Sequence, residues 1–127
     1  MVTFSDSGAH VSQIADFSLH THFLSQWVRQ RGAFTLEEAI RRITSEIANG
    51  WGFHDRGVIG IGKKADITIF DPDTIAPLMP EVATDLPLNA VRLRQGATGI
   101  HATVVNGEVL MRDAEHTGAL PGRVLKH

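Results

Sequence analysis

The sequence predicts an α+β fold, in which one or two N-terminal helices pack on a small, mainly antiparallel β-sheet. Apolar residues recur at helical spacing over residues 17–31 and again over residues 35–50. After Gly57 the period changes to the alternation that is typical of strands. An Asn-Gly pair at 106–107 then separates two strand-like runs, as in a tight hairpin. We therefore expect the sheet to be built from residues 58–112.

The composition indicates a single globular unit. The chain has 127 residues, of which 43% are hydrophobic and 20% are charged. Its 12 basic and 14 acidic residues give a net charge of -2, which argues against a nucleic-acid partner. The absence of cysteine excludes disulfides and thiolate metal ligands. Neither a signal peptide nor an apolar run of about 18 residues is present, so we expect no membrane partner and, by default, a cytoplasmic protein.

The first helix is predicted over residues 17–31, where Gly32 supplies a stop signal. The residues that fall at helical spacing are Leu24, Trp27, Val28 and Arg31. Phe23 flanks this stripe, whereas Arg29 is expected to face water. The spacing therefore places Leu24 and Trp27 toward the core.

The second helix begins with the pattern of a capping box. Thr35 and Glu38 have the spacing at which each side chain bonds an unpaired backbone N–H of the first turn. One continuous apolar stripe is expected to follow, made of Leu36, Ala39, Ile40, Ile43 and Ile47. Asn49-Gly50 then favours termination.

The second half of the chain has strand and turn patterns. Residues 58–61 and 66–70 are strand-like, with Ile67 and Ile69 on one face, and the glycines and lysines of residues 60–64 between them favour a tight turn with solvated lysines. The stretch with Pro77, Pro80 and Pro87 has no periodic pattern. The predicted hairpin pairs 102–105 with 108–112 through a type I′ turn, and the tail 118–123 is expected to be extended.

Asp6 is the first candidate for a functional residue. It lies between Ser5 and Ser7-Gly8, after a short β-prone run, where a barrel strand presents groups to an active site. The same residues are ordinary turn composition, which local sequence favours. His10 follows four residues later and either lines the same opening or is exposed.

The pair His20-Thr21-His22 resembles a metal-binding pattern only if it lies on a strand, where both rings share a face. The surrounding period is helical, and on a helix residues two apart diverge. No third ligand stands at a fixed spacing, so this pair is not predicted to bind a metal. Four further histidines carry no local signal; they are His54, His101, His116 and His127.

Several separated segments together resemble the amidohydrolase superfamily. Residues 56–71, RGVIGIGKKADITIFD, resemble its pattern G-x-I-x-x-G-x-x-A-D-[IL]-x-[IV]-[FW]-D, and residues 35–52 resemble the helix that precedes it. Residues 104–109 are similar to the V-x-V-N-G hairpin of that superfamily. Residues 116–125 are similar to the end of the N-acyl-D-amino-acid deacylases. These matches follow one another in the family's order over nearly the whole chain.

The resemblance implies a division of the chain and a role for its first residues. Residues 1–55 would be the last βα unit of a TIM-like barrel with its helices, and residues 56–127 the C-terminal part of a β-sandwich. Asp6 matches the aspartate that ends the last barrel strand. In the family this carboxylate contacts the metal and its bound water, accepts the water's proton and passes it to the leaving amine. His10 would contact the substrate, and the complete enzyme would use zinc.

The resemblance also implies the activity: hydrolysis of linear, non-peptide C–N amide bonds in small molecules such as N-acyl-D-amino acids. A TIM barrel takes about 250 residues and a catalytic zinc about three protein ligands, so we expect a C-terminal fragment that binds no zinc and is inactive alone. The alternative is a non-catalytic module that pairs with itself or with a separate barrel subunit. Open strand edges favour a homo-oligomer. A separate ligand-binding domain has no supporting motif.

Overall fold

The computed structural model describes residues 16–125, which form a helical N-terminal part followed by short antiparallel strands. The helical segments are a 3₁₀ turn at Asp16–Ser18, α1 at Leu19–His22, a π-helix at Phe23–Gln30, α2 at Leu36–Ile43, α3 at Ser45–Gly50 and a 3₁₀ turn at Pro87–Asn89. The strands are β1 Ile67–Phe70, β2 Ala76–Pro77, β3 Glu81–Ala83, β4 Arg92–Arg94, β5 Ala97–Thr98, β6 Ile100–Val105, β7 Glu108–Arg112 and β8 Glu115–His116. The expected mixture of helices and small antiparallel sheets is confirmed. None of the helices in this part of the chain is long and apolar enough to cross a membrane.

The first helix lies where it was predicted, but most of it is a π-helix. The Arg31 N–H bonds to the carbonyl of Gln26, five residues earlier, so each turn holds more residues than in an α-helix. Residues three apart then no longer share a face. Leu24 and Phe23 are buried as a result, whereas Trp27 is 41% exposed beneath the Arg31 guanidinium, which lies 4.5 Å from its ring centroid. The prediction that Trp27 faces the core is therefore wrong.

The capping box of the second helix is confirmed. The Thr35 hydroxyl accepts the Glu38 N–H at 3.2 Å, and the Glu38 carboxylate accepts the Thr35 N–H at 3.0 Å. The helix is not continuous, however, because it breaks between α2 and α3 at Thr44, whose φ of -127° is not helical. The Thr44 hydroxyl donates to the Ile40 carbonyl at 2.6 Å, a local bond that competes with helical pairing.

The main sheet has four antiparallel strands in the order β1-β6-β7-β8. The predicted hairpin is confirmed, with positive φ at Asn106 and Gly107, as a type I′ turn requires. The tight turn is also confirmed, since the Lys63 N–H bonds to the Gly60 carbonyl at 3.1 Å. A strand over residues 58–61 is wrong, because in the described structure the sheet begins at Ile67.

The proline-containing stretch holds strand pairs that the sequence did not reveal. β2 pairs with β5 and β3 pairs with β4, both antiparallel. Two forked ion pairs stabilise the β3–β4 pair. The Arg92 guanidinium donates to the two oxygens of Asp85 at 2.6 and 2.7 Å, and the Arg94 guanidinium donates twice to Glu81, at 2.6 and 2.9 Å. Each strand has only two or three residues, too few to show a period of two.

The core lies between the helices and the start of the sheet. Its buried members are Phe23, Leu24, Ala39 and Ile75. The apolar side of α2 and the side chains of Phe70 and Ile100 pack around them, which joins helices and sheet into one apolar cluster. The Phe23 and Phe34 rings meet at a centroid distance of 5.4 Å with a tilt of 54°, a favourable aromatic geometry.

Candidate functional site

The residues singled out from the sequence, Asp6 and His10, lie outside the described residues. Their roles as catalytic carboxylate, metal ligand and substrate contact therefore stay predictions. The described structure begins ten residues after Asp6, at the turn that leads into α1.

The histidine pair on α1 does not form a metal site with other described residues. His20 is half-buried and His22 is exposed, because positions two apart diverge on a helix. Within residues 16–125 no group of three or more histidine, aspartate or glutamate side chains is arranged to hold a metal ion. His116 instead serves its own turn, where its Nδ1 accepts the Gly118 N–H at 2.9 Å.

The π-helix is attached firmly to the rest of the fold. Its Ser25 is buried and donates its hydroxyl to the His22 carbonyl at 3.3 Å. Arg29 is exposed, as expected, but its guanidinium also donates to the carbonyls of Pro72 at 3.0 Å and Ile75 at 2.7 Å. The helix that follows the Asp6 segment is thereby joined to the loop between β1 and β2.

A second polar network, the Arg56 cluster, joins the end of the helical part to the hairpin and the tail. The Arg56 guanidinium donates to Asp55 at 3.1 Å and to Asp66 at 2.6 Å. The other oxygen of Asp66 accepts the Asn106 N–H at 2.7 Å. The side-chain amide of Asn106 in turn donates to the Pro121 carbonyl at 2.8 Å. This series of hydrogen bonds therefore links four separated segments of the chain.

The electrostatics of the Arg56 cluster follow from these bonds. The hydrogen bond from the Arg56 guanidinium lowers the pKa of the Asp55 carboxyl, and the charges of Arg56 and Lys64 act in the same direction. Reciprocally, the bond to Asp55 raises the pKa of Arg56. Asp55 and Arg56 therefore stabilise each other's charged forms, and the Arg56 cation is shared between two carboxylates.

Sequence reasoning missed Arg29 and the connecting role of the Arg56 cluster. Arg56 and Asp66 both stand in the segment that resembles the amidohydrolase pattern, and their ten-residue separation spans a glycine-rich turn. An arginine and an aspartate on either side of such a turn are a usable signal for an ion pair. Arg29 gave no such signal, because its acceptors are backbone carbonyls more than 40 residues away.

Comparison with known proteins places the chain among the amidohydrolases. The profile of the amidohydrolase family matches residues 2–111. D-aminoacylase of Alcaligenes xylosoxydans xylosoxydans is 35% identical over 80% of this chain and 19% of its own length. N-acyl-D-aspartate deacylase of the same organism is 36% identical over 83% of the chain and 19% of its own length.

A solved D-aminoacylase structure, described for the functional role of its binuclear metal center, superposes with a TM-score of 0.68. It is 32% identical and is matched over 85% of this chain and 21% of its own. The chain thus spans about a fifth of the length of these relatives.

Proposed function

The chain belongs to the amidohydrolase family, and from this premise we propose that it serves as the C-terminal part of an enzyme that hydrolyses linear amide bonds. The substrates we propose are N-acyl-D-amino acids. The observation that carries the proposal is the identity of 35–36% with a D-aminoacylase and an N-acyl-D-aspartate deacylase over four-fifths of the chain. Relatives with these names support the hydrolysis of amide bonds.

The proposal assigns the two halves of the chain to two structural units. Residues 1–55, with α1, the π-helix, α2 and α3, would be the last βα unit of a TIM-like barrel and its helices. Residues 56–127, with the four-stranded sheet, would be the C-terminal part of a β-sandwich. Arg29 would then join the two units through its bonds to Pro72 and Ile75. Arg56 would do so at the boundary, because it bonds to Asp55 in the first unit and to Asp66 in the second.

In this proposal Asp6 supplies the catalytic carboxylate and one metal ligand, and His10 contacts the substrate. The carboxylate would accept a proton and deliver it to the leaving amine. A zinc ion, when bound in the complete enzyme, lowers the pKa of its water and polarises the amide carbonyl. The described residues do not supply the set of ligands that such an ion needs, so we assign no further ligand to residues 16–125.

The second candidate function is that of a non-catalytic module which pairs with itself or with a separate barrel subunit. It is favoured by apolar residues that the described fold leaves exposed, among them Ile59, Ile61, Met79, Leu88 and Leu120. Burial of such surface favours association. Sedimentation equilibrium of the 127-residue chain tests the homo-oligomer that this function implies, and a single species near 13.8 kDa would contradict it.

A chimera tests the catalytic proposal directly. The matched C-terminal fifth of the Alcaligenes D-aminoacylase is replaced by this chain, and hydrolysis of N-acetyl-D-amino acids is measured with zinc present. We expect the chimera to be active and the isolated chain to be inactive. Asp6→Asn should lower the turnover of the chimera by about 10²–10⁴-fold, the usual contribution of general acid–base catalysis.

The control for that change is Asp113→Asn in the same chimera. Asp113 lies in the exposed turn between β7 and β8 with a φ of 48°, a conformation that asparagine also tolerates. Turnover of this control should stay close to that of the parent chimera. Equal activity of the Asp6 and Asp113 variants would show that Asp6 is not the catalytic carboxylate.

A further inference from the structure

A cavity of about 360 Å³ lies beside the Arg56 cluster, between the glycine-rich turn and the tail of the chain. A volume of this size is typical of sites for small molecules, which span about 300–1,000 Å³. Its lining residues include the cations Lys64 and Arg123 and the apolar residues Val124 and Leu125. The cavity therefore offers charge and apolar contact in one place.

Lys64 and Arg123, two of the three cations that line the cavity, have no hydrogen-bonded or ion-paired partner for their side-chain charge among the described residues. Lys64 uses only its backbone N–H, which bonds to the Asp55 carbonyl at 2.8 Å. No hydrogen bond or ion pair within residues 16–125 involves the ammonium of Lys64 or the guanidinium of Arg123. This contrasts with Lys63, whose ammonium donates to the His54 carbonyl at 2.6 Å.

The carboxylate of Asp55 also lines the cavity and opposes an anion there. Its charge is balanced by Arg56, which bonds to one oxygen at 3.1 Å and to the other at 3.5 Å. The Asp66 carboxylate, the second partner of Arg56, is engaged on its other oxygen by the Asn106 N–H. The described residues that line the cavity carry one negative charge, on Asp55, and three positive charges, on Arg56, Lys64 and Arg123, so their excess charge is positive.

We propose that this cavity binds a small organic carboxylate, with Lys64 and Arg123 on its charged end and Val124 and Leu125 on its apolar end. The guanidinium of Arg123 suits a carboxylate because its planar fork matches the two oxygens. Lys64 adds a second charge from the turn that ends at β1. The site uses neither Asp6 nor His10, so it does not depend on the proposed catalytic function.

The test titrates the 127-residue chain with 4-methylpentanoate, a carboxylate with a branched apolar end, and follows ¹H–¹⁵N spectra. We expect saturable shifts of the Lys64, Asn106 and Arg123 amide signals at millimolar concentration. The neutral isostere 4-methylpentanamide should cause no such shifts, since it carries no charge. Inorganic phosphate should bind more weakly, since it cannot contact the apolar wall.

Charge-removing variants assign the contacts. Lys64→Gln and Arg123→Gln should each weaken 4-methylpentanoate binding by about three- to fivefold, the range expected of partly exposed ion pairs, and the double variant by about tenfold. The matched controls are Lys63→Gln in the same turn and Arg112→Gln on β7, neither of which lines the cavity. Both should bind as the parent chain does.

Three results would overturn the proposal. The first is no saturable shift at any of the three signals up to tens of millimolar ligand. The second is unchanged affinity in the Lys64→Gln, Arg123→Gln double variant. The third is phosphate binding as tight as that of 4-methylpentanoate, which would reduce the site to a patch of positive charge. Because each variant lies on an exposed side chain, the spectrum of the parent serves as the check of folding.

Discussion

We expect Gly99→Ala to destabilise the chain more than a glycine-to-alanine change in any other described turn of the sheet. Gly99 lies between β5 and β6 with a φ of 75°, and its carbonyl accepts the Asp71 N–H at 2.8 Å. A Cβ built there would lie 2.5 Å from the Ile75 nitrogen and 2.7 Å from its Cα. These are backbone atoms of a core residue that is only 3% exposed, so they cannot turn aside as a flexible side chain does.

The magnitude combines two costs. Alanine in the left-handed region costs about 1–2 kcal/mol, and forcing extra volume into a packed site costs about 1–3 kcal/mol. We therefore expect a loss of about 2–5 kcal/mol in the free energy of unfolding, a large part of the 5–15 kcal/mol typical of a domain. The matched control is Gly107→Ala, where φ is 85° but no atom lies within 4 Å of the added Cβ. Only the conformational cost of about 1–2 kcal/mol applies there.

Urea unfolding followed by circular dichroism measures both variants against the parent chain. The expected result is a lower midpoint for Gly99→Ala than for Gly107→Ala, with unchanged slopes, because the surface exposed on unfolding stays the same. Equal losses in the two variants would refute the reasoning, since they would mean that the approach of Gly99 to the backbone of Ile75 carries no cost.

Three further outcomes are expected from the same unfolding assay. Thr35→Ala removes the N-cap of α2 and should cost about 1 kcal/mol, whereas Thr35→Ser should cost little. Arg29→Met deprives the buried Ile75 carbonyl of its charged donor and should cost about 1–3 kcal/mol. The bond to Arg56 depresses the pKa of Asp55 in the folded state. The ionised Asp55 carboxylate therefore contributes stability at pH values above its pKa in the unfolded chain, about 4, and this contribution is lost as the pH falls through its lower pKa in the folded chain. Asp55→Asn should remove this dependence of the unfolding free energy on pH.

The elements that were predicted correctly depend on neighbours in sequence. The capping box needs only Thr35 and Glu38, three residues apart, and the hairpin needs only the Asn106-Gly107 turn between two alternating runs. In both cases the interacting groups lie within a few residues of one another. The local sequence therefore contains both partners of each interaction, and it is sufficient to predict these two elements.

The failures concern geometry that distant residues decide. Trp27 has helical spacing relative to Leu24, but the π-helical backbone turns it outward, while Arg29 on the same helix reaches carbonyls near β2. The β3–β4 ribbon is held by forked ion pairs rather than by an apolar alternation, so no periodic pattern marks it. Asp6 was a candidate from its local sequence, but that sequence favours an ordinary turn, and its predicted catalytic role depends on the family resemblance.

The strand expected at residues 58–61 failed for a physical reason that also bears on function. Val58, Ile59 and Ile61 are apolar and β-branched, yet Ile59 is 89% exposed and Ile61 is fully exposed, and no described strand pairs with this segment. Apolar side chains in a glycine-rich loop gain nothing for the core of this chain, and exposed isoleucines favour association. The same residues form the centre of the segment that resembles the amidohydrolase pattern. Their exposure supports the second proposed function, that of a module which pairs with itself or with a separate barrel subunit.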